Sequence, residues 1–435
     1  MKKFLSTLLI VAMVLSLAAC GKKDKNDDNS DANAPYVAPD MTKTVTLNFW
    51  SICVPTDSNR DAYDKAIADM KAKYPNITLN ELATQNDEYK GKIKDAFQAG
   101  QVADIFFTWS CAFLGDFVQA GQVYCLDNAF KDPDVKDAID VKMCNNTIYN
   151  GKKYGVPLTM NIVTLFANLD ILKEVGYSDV PATYDELMTC CDKLVAAGKI
   201  PFGCAAGAGQ EWCVTEYVES IIEKSCGAKT LDDIFQRRAS WGNADVANAI
   251  NKFQEMIKKG YFDPNGQSMD NEQVKTNFMA GKYAFYINGS WNCADFAKAT
   301  GLNVKASEFP VIDGSKSKLG QLIGGPSDTL AVFGKSENKE IAAKYALELG
   351  RLICKYCYLS GAGLPAWKVD YEANDINPLT RAVADIVAKS DYLVLFGDTA
   401  MNSADKDIYL KEIAKVYGAQ VDGQKFIDDL KGAIK

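Results

Sequence analysis

Tryptophans at the ends of predicted elements are the residues of this chain best suited to hold a ligand. Trp50 and Trp109 end two predicted strands. Trp291 follows a third strand in a Gly-Ser turn, and Trp212 follows a glycine-rich run. Because ligands of open α/β sheets bind outside the carboxyl ends of the strands, we expect these indoles to face a groove. An indole plane can stack on the apolar C–H face of a sugar ring, which makes carbohydrate one candidate class of ligand.

A carbohydrate site also needs polar side chains that pair with the ring hydroxyls. Carboxylates and amides do this through strong hydrogen bonds, which are charge-assisted when the group is ionised. The polar candidates are Asp87, Ser110, Glu211 and Asp328. Each of them could instead cap a helix or face solvent. Trp367 is a further aromatic candidate, whereas we expect Trp241 to serve packing alone.

Composition excludes several other kinds of chemistry. The chain contains no histidine, which excludes Ser-His-Asp and Cys-His catalysis and the histidine-based zinc patterns. Cys354 and Cys357 form one CxxC pair with no second pair, so we expect no metal and no cofactor. The cysteines after Cys20 are expected to act as small buried hydrophobes, since Cys190 and Cys191 are adjacent and most others lie in apolar stretches. The formal net charge of −8 makes nucleic acid a poor partner.

Strand and helix patterns alternate along the chain from residue 41, which predicts sheets covered by helices. Strand patterns occupy 44–50, 76–82, 102–109, 163–168 and 282–287, and helix patterns occupy 59–74, 88–99, 181–194, 245–259, 271–280, 338–357 and 405–435. Thr183 and Glu186 have the spacing of a capping box. A chain of 435 residues is too long for one hydrophobic core. We therefore predict an α/β protein of two lobes, each a mostly parallel sheet flanked by helices.

The first twenty residues have the features of an export signal. A positively charged start precedes an apolar run, 4–19, that is short for a membrane span. The run ends in LAACG, which resembles the lipobox of bacterial lipoproteins. We therefore expect 1–19 to be a signal peptide, Cys20 to be lipidated, and 20–42 to be a polar, flexible tether. The alternative is an ordinary signal peptide in which Cys20 is coincidental.

Four segments, in this order, resemble the bacterial extracellular solute-binding protein family 1, which serves ATP-driven sugar importers. They are 98–127, ending in AGQVYCLD; 151–201, with YGVP and PATYDEL; 278–291, FMAGKYAFYINGSW; and 324–345, with NKEIAAKY. The resemblance covers about residues 43–435. The chain departs from the family at Ala167, where tyrosine is usual, and at Tyr184, where tryptophan is commoner.

The resemblance implies a two-lobe periplasmic-binding-protein-like fold with the ligand cleft between the lobes. It implies that lobe 1 comprises 43–160 plus about 326–370 and that lobe 2 comprises 161–325 plus about 371–435. Asn161 lies near the expected crossing between the lobes, where the family often places a side chain that faces the cleft. Gly289, Gly324 and Gly325 are candidate hinge or close-approach positions, unless they serve plain turns.

The implied function is that of a solute-binding protein anchored by lipid to the extracellular face of the membrane. It would capture a sugar or oligosaccharide by hinge closure and deliver it to the permease subunits of an ABC importer. The resemblance implies a monomer without enzyme activity. Two alternatives stay open: an anchored glycoside hydrolase or polysaccharide lyase that uses two carboxylates, and the same fold with a peptide, polyamine or anion as ligand.

Overall fold

The computed structural model of the chain describes residues 34–139 and 141–434. The chain divides at Pro35, and every helix and strand described belongs to the unit Tyr36–Lys435. The predicted signal peptide and Cys20 lie outside the described residues. Within the described part, no helix is both long and apolar enough to cross a bilayer.

The described residues form fourteen strands and fifteen α-helices. The strands are β1 (Val45–Ser51), β2 (Ile77–Ala83), β3 (Ile105–Trp109), β4 (Ile148–Tyr149), β5 (Lys152–Lys153), β6 (Val156–Pro157), β7 (Thr159–Asn168), β8 (Ile200–Gly203), β9 (Tyr283–Gly289), β10 (Val304–Ser307), β11 (Gln321–Gly325), β12 (Asp328–Val332), β13 (Leu364–Pro365) and β14 (Tyr392–Val394). The helices are α1 (Arg60–Lys73), α2 (Asn86–Ala99), α3 (Ala112–Gln119), α4 (Leu169–Glu174), α5 (Tyr184–Ala196), α6 (Glu211–Cys226), α7 (Ala228–Phe235), α8 (Ala244–Lys258), α9 (Asn271–Met279), α10 (Cys293–Lys298), α11 (Lys339–Ser360), α12 (Pro378–Ala388), α13 (Gly397–Ala400), α14 (Ser403–Tyr417) and α15 (Gly423–Ala433). Every segment predicted from the sequence coincides with an element of the same type, and the capping box of Thr183 and Glu186 is confirmed.

The first sheet has five strands in the order β2-β1-β3-β12-β6. β1 pairs in parallel with β2 and β3, whereas β12 runs antiparallel to β3 and β6. Leu47 and Phe49 of β1 are fully buried, while Asn48 and Trp50 point to the other side of the sheet, as the alternation of a strand requires. Helices α1, α2, α3 and α11 pack on this sheet and complete one hydrophobic core, which we call lobe 1.

The second sheet is centred on β7, whose ten residues are all buried. β7 runs antiparallel to β9, β10, β11 and β13, and the pairs β8–β9 and β11–β14 are parallel. The expectation of a mostly parallel sheet in each lobe is therefore corrected for this one. β7 leaves lobe 1 and β11 returns towards it, so these two neighbours must run in opposite directions. We call this sheet and its helices lobe 2.

Lobe 2 buries both faces of its sheet. Along β7, Val163 and Leu165 pack into one core while Ile162 and Phe166 pack into another. Helices α4 to α8, α14 and α15 contribute to the first core, and α9, α10 and α12 contribute to the second. Coverage on both faces explains why residues 162–167 of β7 are apolar except for Thr164. The two-lobe α/β fold predicted from the sequence thus has one core in lobe 1 and two in lobe 2.

The chain passes between the lobes through two short connections and through a longer one between α11 of lobe 1 and α12 of lobe 2. Leu158 alone separates β6 from β7, and Pro326 and Ser327 separate β11 from β12. At Gly324 the backbone has φ +140°, and a Cβ atom there would lie 2.2 Å from the carbonyl oxygen of Asn161. Gly324 is therefore a close-approach position, where only glycine fits between the crossing strands.

The predicted tether ends earlier than expected. The phenol of Tyr36 donates a hydrogen bond to a carboxylate oxygen of Asp132 at 2.7 Å. The backbone N–H of Val37 donates to Asn128 Oδ1 at 3.0 Å. These contacts attach the chain to lobe 1 from Tyr36 onwards, so the expectation of a flexible tether up to residue 42 is corrected for these residues.

The twelve cysteines of the described part form no disulfide with one another. Ten are buried, and Cys111 and Cys125 are half-buried. Burial raises the pKa of the thiols of Cys190, Cys226 and Cys293 to about 12. These thiols therefore pack as apolar groups, and their reactive thiolate form is suppressed at neutral pH.

Candidate functional site

A cavity of about 180 Å³ lies between the lobes and is lined by both of them. Lobe 1 contributes the loop after β1, the start of α2, the end of β3 and the start of β12. Lobe 2 contributes the first turns of α6 and α9, the turn after β9 and the segment 396–399. The ends of β1, β3 and β9 are carboxyl ends of strands, where ligands of open α/β sheets bind. We call this cavity the cleft.

Aromatic rings stand on both walls of the cleft. Trp109 ends β3 on the lobe 1 side and packs edge-to-face on Tyr89, Phe107 and Phe113. On the lobe 2 side, the rings of Trp291 and Trp212 have centroids 6.2 Å apart and are tilted by 51°. Packing on neighbouring rings holds each indole in place before any ligand arrives, which lowers the entropy lost on binding.

The turn that carries Trp291 is fixed to lobe 2 by two features. Ser290 Oγ donates to Asn161 Oδ1 at 3.0 Å and accepts from the backbone N–H of Ile162 at 3.1 Å. A Cβ atom at Gly289 would lie 2.1 Å from the indole of Trp291, so glycine is required for the ring to lie over the strand. Asn161 thus positions the turn instead of facing the cavity.

Two contacts join the walls at the mouth of the cleft. Gln210 Nε2 of lobe 2 donates to Asp87 Oδ2 of lobe 1 at 2.7 Å. The ammonium of Lys90 lies 5.3 Å from the ring centroid of Trp109 and 5.7 Å from that of Trp212. One cation therefore contacts an indole of each lobe, an arrangement that is stabilised only while the lobes are close together.

Carboxylates of lobe 1 line the cleft in a desolvated setting. Asp328 Oδ2 accepts from Thr159 Oγ1 at 3.4 Å, and burial raises the pKa of Asp328 to about 6. Burial also raises the pKa of Asp57, whose Oδ1 accepts from the backbone N–H of Asn59 at 2.8 Å. A carboxylate held in this way gains from a hydrogen-bond donor on a ligand, because few water molecules compete for it.

Helix α6 presents a row of three glutamates at spacings of three and four residues. Glu219 accepts from the backbone N–H of Gly397 and from the hydroxyl of Tyr409, while Glu223 accepts from Ser317 Oγ. Burial raises the pKa of Glu219 to about 8 and that of Glu223 to about 7. These two carboxyl groups are structural, since each is satisfied inside lobe 2.

Glu216 is the exception in this row. Its side chain is 2% exposed and lines the cleft, yet neither carboxyl oxygen has a hydrogen-bond partner among the described residues. Burial raises the pKa of Glu216 well above its usual range, and the negative charges of Asp398 and Glu219 add to this rise. Trp212 Nε1, one helical turn earlier, is also buried and has no hydrogen-bond partner within the described part of the chain. An unpaired buried polar group costs about 1–3 kcal/mol.

The cleft brings together half of the site residues predicted from the sequence. They are Asp87, Trp109, Trp212, Trp291 and Asp328. Trp212 lies on the first turn of α6 instead of in a loop, because the helix begins directly after the glycine-rich run. Glu216, Gln210 and Lys275 were not predicted from the sequence. The sequence did offer one signal for Glu216, namely three glutamates at helical spacing within an apolar run. A helix that is apolar on most sides is buried, so a glutamate within it is expected to be buried as well.

The other predicted residues lie outside the cleft, and these expectations are corrected. Trp367 is 4% exposed in the core of lobe 1, where its indole N–H donates to the carbonyl of Pro157 at 2.7 Å. Ser110 is fully buried and donates to the carbonyl of Pro326 at 3.1 Å. Trp50 points away from the buried face of β1.

Glu211 and Trp241 complete the comparison with the sequence. Glu211 is half-buried on the first turn of α6, where it accepts from the N–H of Gly209 at 3.4 Å, and it does not line the cleft. Trp241 is 2% exposed and packs against Tyr409 and Phe426, in agreement with a role in packing.

Residues 56–347 match the family described as bacterial extracellular solute-binding protein. A binding protein of Brucella abortus is 26% identical over 274 residues, which are 63% of this chain and 64% of that protein. The match thus spans slightly less than two thirds of this relative. The galactooligosaccharide-binding protein of Bacillus subtilis is 25% identical over 80% of this chain and 76% of its own length.

A solved structure from a study of xylan utilization by the thermophilic bacterium Caldanaerobius polysaccharolyticus has a similar fold. It is 28% identical to this chain, with a TM-score of 0.85. The match covers 90% of this chain and 100% of the other.

Proposed function

Because this chain belongs to the family of bacterial extracellular solute-binding proteins, we propose that it captures a sugar or oligosaccharide in the cleft between its lobes. The observation that carries this proposal is the placement of Trp109 on one wall and of Trp212 and Trp291 on the other. Two indole-bearing walls accept the two C–H faces of a sugar ring, and carboxyl groups beside them accept from its hydroxyls.

Relatives of the chain support a carbohydrate as the ligand class. One curated relative is a galactooligosaccharide-binding protein, and one solved structure with a similar fold comes from work on xylan utilization. We therefore choose xylo-oligosaccharides and galacto-oligosaccharides as the first ligands to test.

Capture follows from closure of the lobes. A ligand that contacts both walls stabilises the closed arrangement over an open one by the difference in its contacts between the two states. Leu158 and the pair Pro326 and Ser327 are the short connections about which the lobes would rotate. Binding in this manner requires no bond of the ligand to break, so the protein acts as a receptor and not as an enzyme.

The function is tested by thermal unfolding of the purified chain from residue 21 with xylotetraose, galactotriose, maltotriose and cellotriose. At a ligand concentration 100 times Kd, the folded state gains about 2.7 kcal/mol. For a chain of this size we expect a rise in Tm of about 3–6 °C with at least one saccharide. Mass spectrometry of the recovered saccharide should show it unchanged.

Three outcomes would contradict this proposal. Cleavage products would favour the glycoside hydrolase or lyase alternative. Stabilisation by peptides or polyamines alone would keep receptor function and reject the carbohydrate. Absence of any shift with a broad saccharide panel would reject the ligand class outright.

We further propose that Cys20 is lipidated and that the loaded receptor delivers its sugar to an ABC importer. In cells grown with an alkyne-bearing fatty acid, the wild-type chain should be labelled and retained in the membrane. The Cys20→Ser chain should be unlabelled and released into the medium, because a free chain has no acyl group to bury. Equal labelling of both chains would reject the anchor, and unchanged sugar uptake after deletion of the gene would reject delivery.

A further inference from the structure

Among the described residues, six buried side-chain polar atoms lack a hydrogen-bond partner, and three of them belong to two residues on the lobe 2 wall of the cleft. Trp212 and Glu216 are four residues apart on α6, so their side chains lie on the same face of the helix. Trp212 Nε1 and both carboxyl oxygens of Glu216 are buried without a hydrogen-bond partner among the described residues. Both side chains line the cleft. A donor and a carboxyl group without partners among the described residues thus belong to two side chains that line the same cavity.

The same helix provides an internal comparison. Glu219 and Glu223 are as deeply buried as Glu216, and each has its carboxyl group satisfied by neighbouring donors. Glu219 and Glu223 thus have hydrogen-bond partners inside lobe 2. Glu216, whose side chain lines the cleft, has none among the described residues. Buried polar groups are normally paired, so the partner of Glu216 is expected to come from a bound ligand.

The charges around Glu216 limit what that ligand can be. Besides Glu216, the carboxyl groups that line the cleft are those of Asp57, Asp87, Glu272, Asp328 and Asp398. The lining ammonium groups are those of Lys90 and Lys275. Lys275 already pairs with Glu272 at 2.8 Å and with Asp295 at 3.1 Å, and Lys90 lies 3.9 Å from Asp87. A carboxylate on a ligand would therefore meet like charges without an unengaged cation to pair with.

We propose that Glu216 is a specificity-determining contact that hydrogen-bonds a hydroxyl of the bound saccharide, and that the acidic lining around it excludes saccharides bearing a carboxylate. This inference rests on the proposed function and names its substrate class: neutral sugars are accepted and uronic-acid sugars are rejected. An uncharged carboxyl group both donates and accepts a hydrogen bond, which matches a sugar hydroxyl. Burial and the neighbouring charges raise the pKa of Glu216 and favour that uncharged form.

Variants at this position separate a ligand contact from a structural role. Glu216→Gln keeps an uncharged group that donates and accepts, so its affinity for the best-binding neutral probe, such as xylotetraose, should stay within about threefold of wild type. Glu216→Leu cannot hydrogen-bond and should bind the same probe at least 30-fold more weakly. Its unliganded Tm should equal or exceed that of wild type, because the unpaired carboxyl group is gone. Glu255→Gln, on the exposed face of α8, is the matched control and should behave as wild type.

The closing experiment is calorimetric titration of wild type and variants with neutral and acidic probes of similar size. The pairs are xylotetraose with aldotetraouronic acid, and galactobiose with digalacturonic acid. In each pair that binds, wild type should favour the neutral member at least 30-fold. Equal affinity for both members, unchanged binding by Glu216→Leu, or a lower unliganded Tm of that variant would overturn the proposal.

The outcomes for the function and for the inference are distinguishable. If wild type binds no saccharide, the proposed function fails before any variant is compared. If wild type binds a neutral probe and Glu216→Leu binds it equally well, only the role of Glu216 fails. Should Glu216→Leu not fold, the discrimination by wild type and the affinity of Glu216→Gln still decide the matter.

Discussion

Replacing Trp291 by alanine is expected to abolish most of the ligand-induced stabilisation of this protein. The indole is the aromatic plane at the turn after β9, held over Gly289 and tilted against Trp212. Its removal takes away a stacking surface and the apolar area that a sugar face would cover, together about 2–3 kcal/mol. This corresponds to a Kd about 30- to 150-fold higher. Thermal shift and calorimetric titration with the best-binding saccharide would measure the loss.

Two controls make this result specific to the cleft. Trp291→Phe keeps a smaller aromatic plane and should lose less affinity than Trp291→Ala. Trp50→Ala removes an indole of the same size that the structure places outside the cleft, so its affinity should match that of wild type. A full ligand response of Trp291→Ala, or a loss caused by Trp50→Ala, would reject the assignment of the site.

Replacing Gly324 by alanine is expected to cause the largest loss of stability among single methyl additions near the cleft. The residue has φ +140°, a conformation that side chains rarely adopt. The added Cβ would lie 2.2 Å from the carbonyl oxygen of Asn161 and 2.6 Å from the Cα of Ile162. Both are backbone atoms of the central strand β7 and cannot move aside without displacing the sheet. Urea denaturation should show a free energy of unfolding lower by about 2–4 kcal/mol.

Gly91→Ala is the matched control for this substitution. Gly91 lies within α2, and nothing lies within 4 Å of a Cβ atom at that position. Alanine is the better helix former, so the free energy of unfolding should rise by about 0.5–1 kcal/mol. If Gly324→Ala proved as stable as wild type, the close approach of the crossing strands would be disproved.

Strand ends were predictable from the sequence, but the face on which a side chain lies was only partly so. Trp109 is the last residue of β3 and reaches the cleft, whereas Trp50 is followed by Ser51 in β1 and does not. Alternation contributes to the difference, because it places Trp50 on the opposite face of β1 from Phe49, where the indole is half-buried against the core of lobe 1. Position at a strand end therefore limits which residues can bind, and the alternation helps to decide between them.

Other features depended on long-range contacts that no local pattern reveals. Trp367 follows a short strand that pairs with β7, and then enters the core of lobe 1. Glu216 lies in α6, and the sequence patterns did not predict this helix because it begins just after a glycine-rich run. Its lack of a partner, in contrast to Glu219, depends on which segments pack beside each residue in three dimensions.

The burial of the cysteines has a consequence for how this protein responds to oxidants. Thiol–disulfide exchange requires a thiolate, and burial holds the pKa of Cys111 at about 11 and that of Cys190 at about 12. The twelve cysteines of the described part form no disulfide with one another. Once the domain is folded, these thiols therefore react slowly with oxidants and with the disulfides of other proteins.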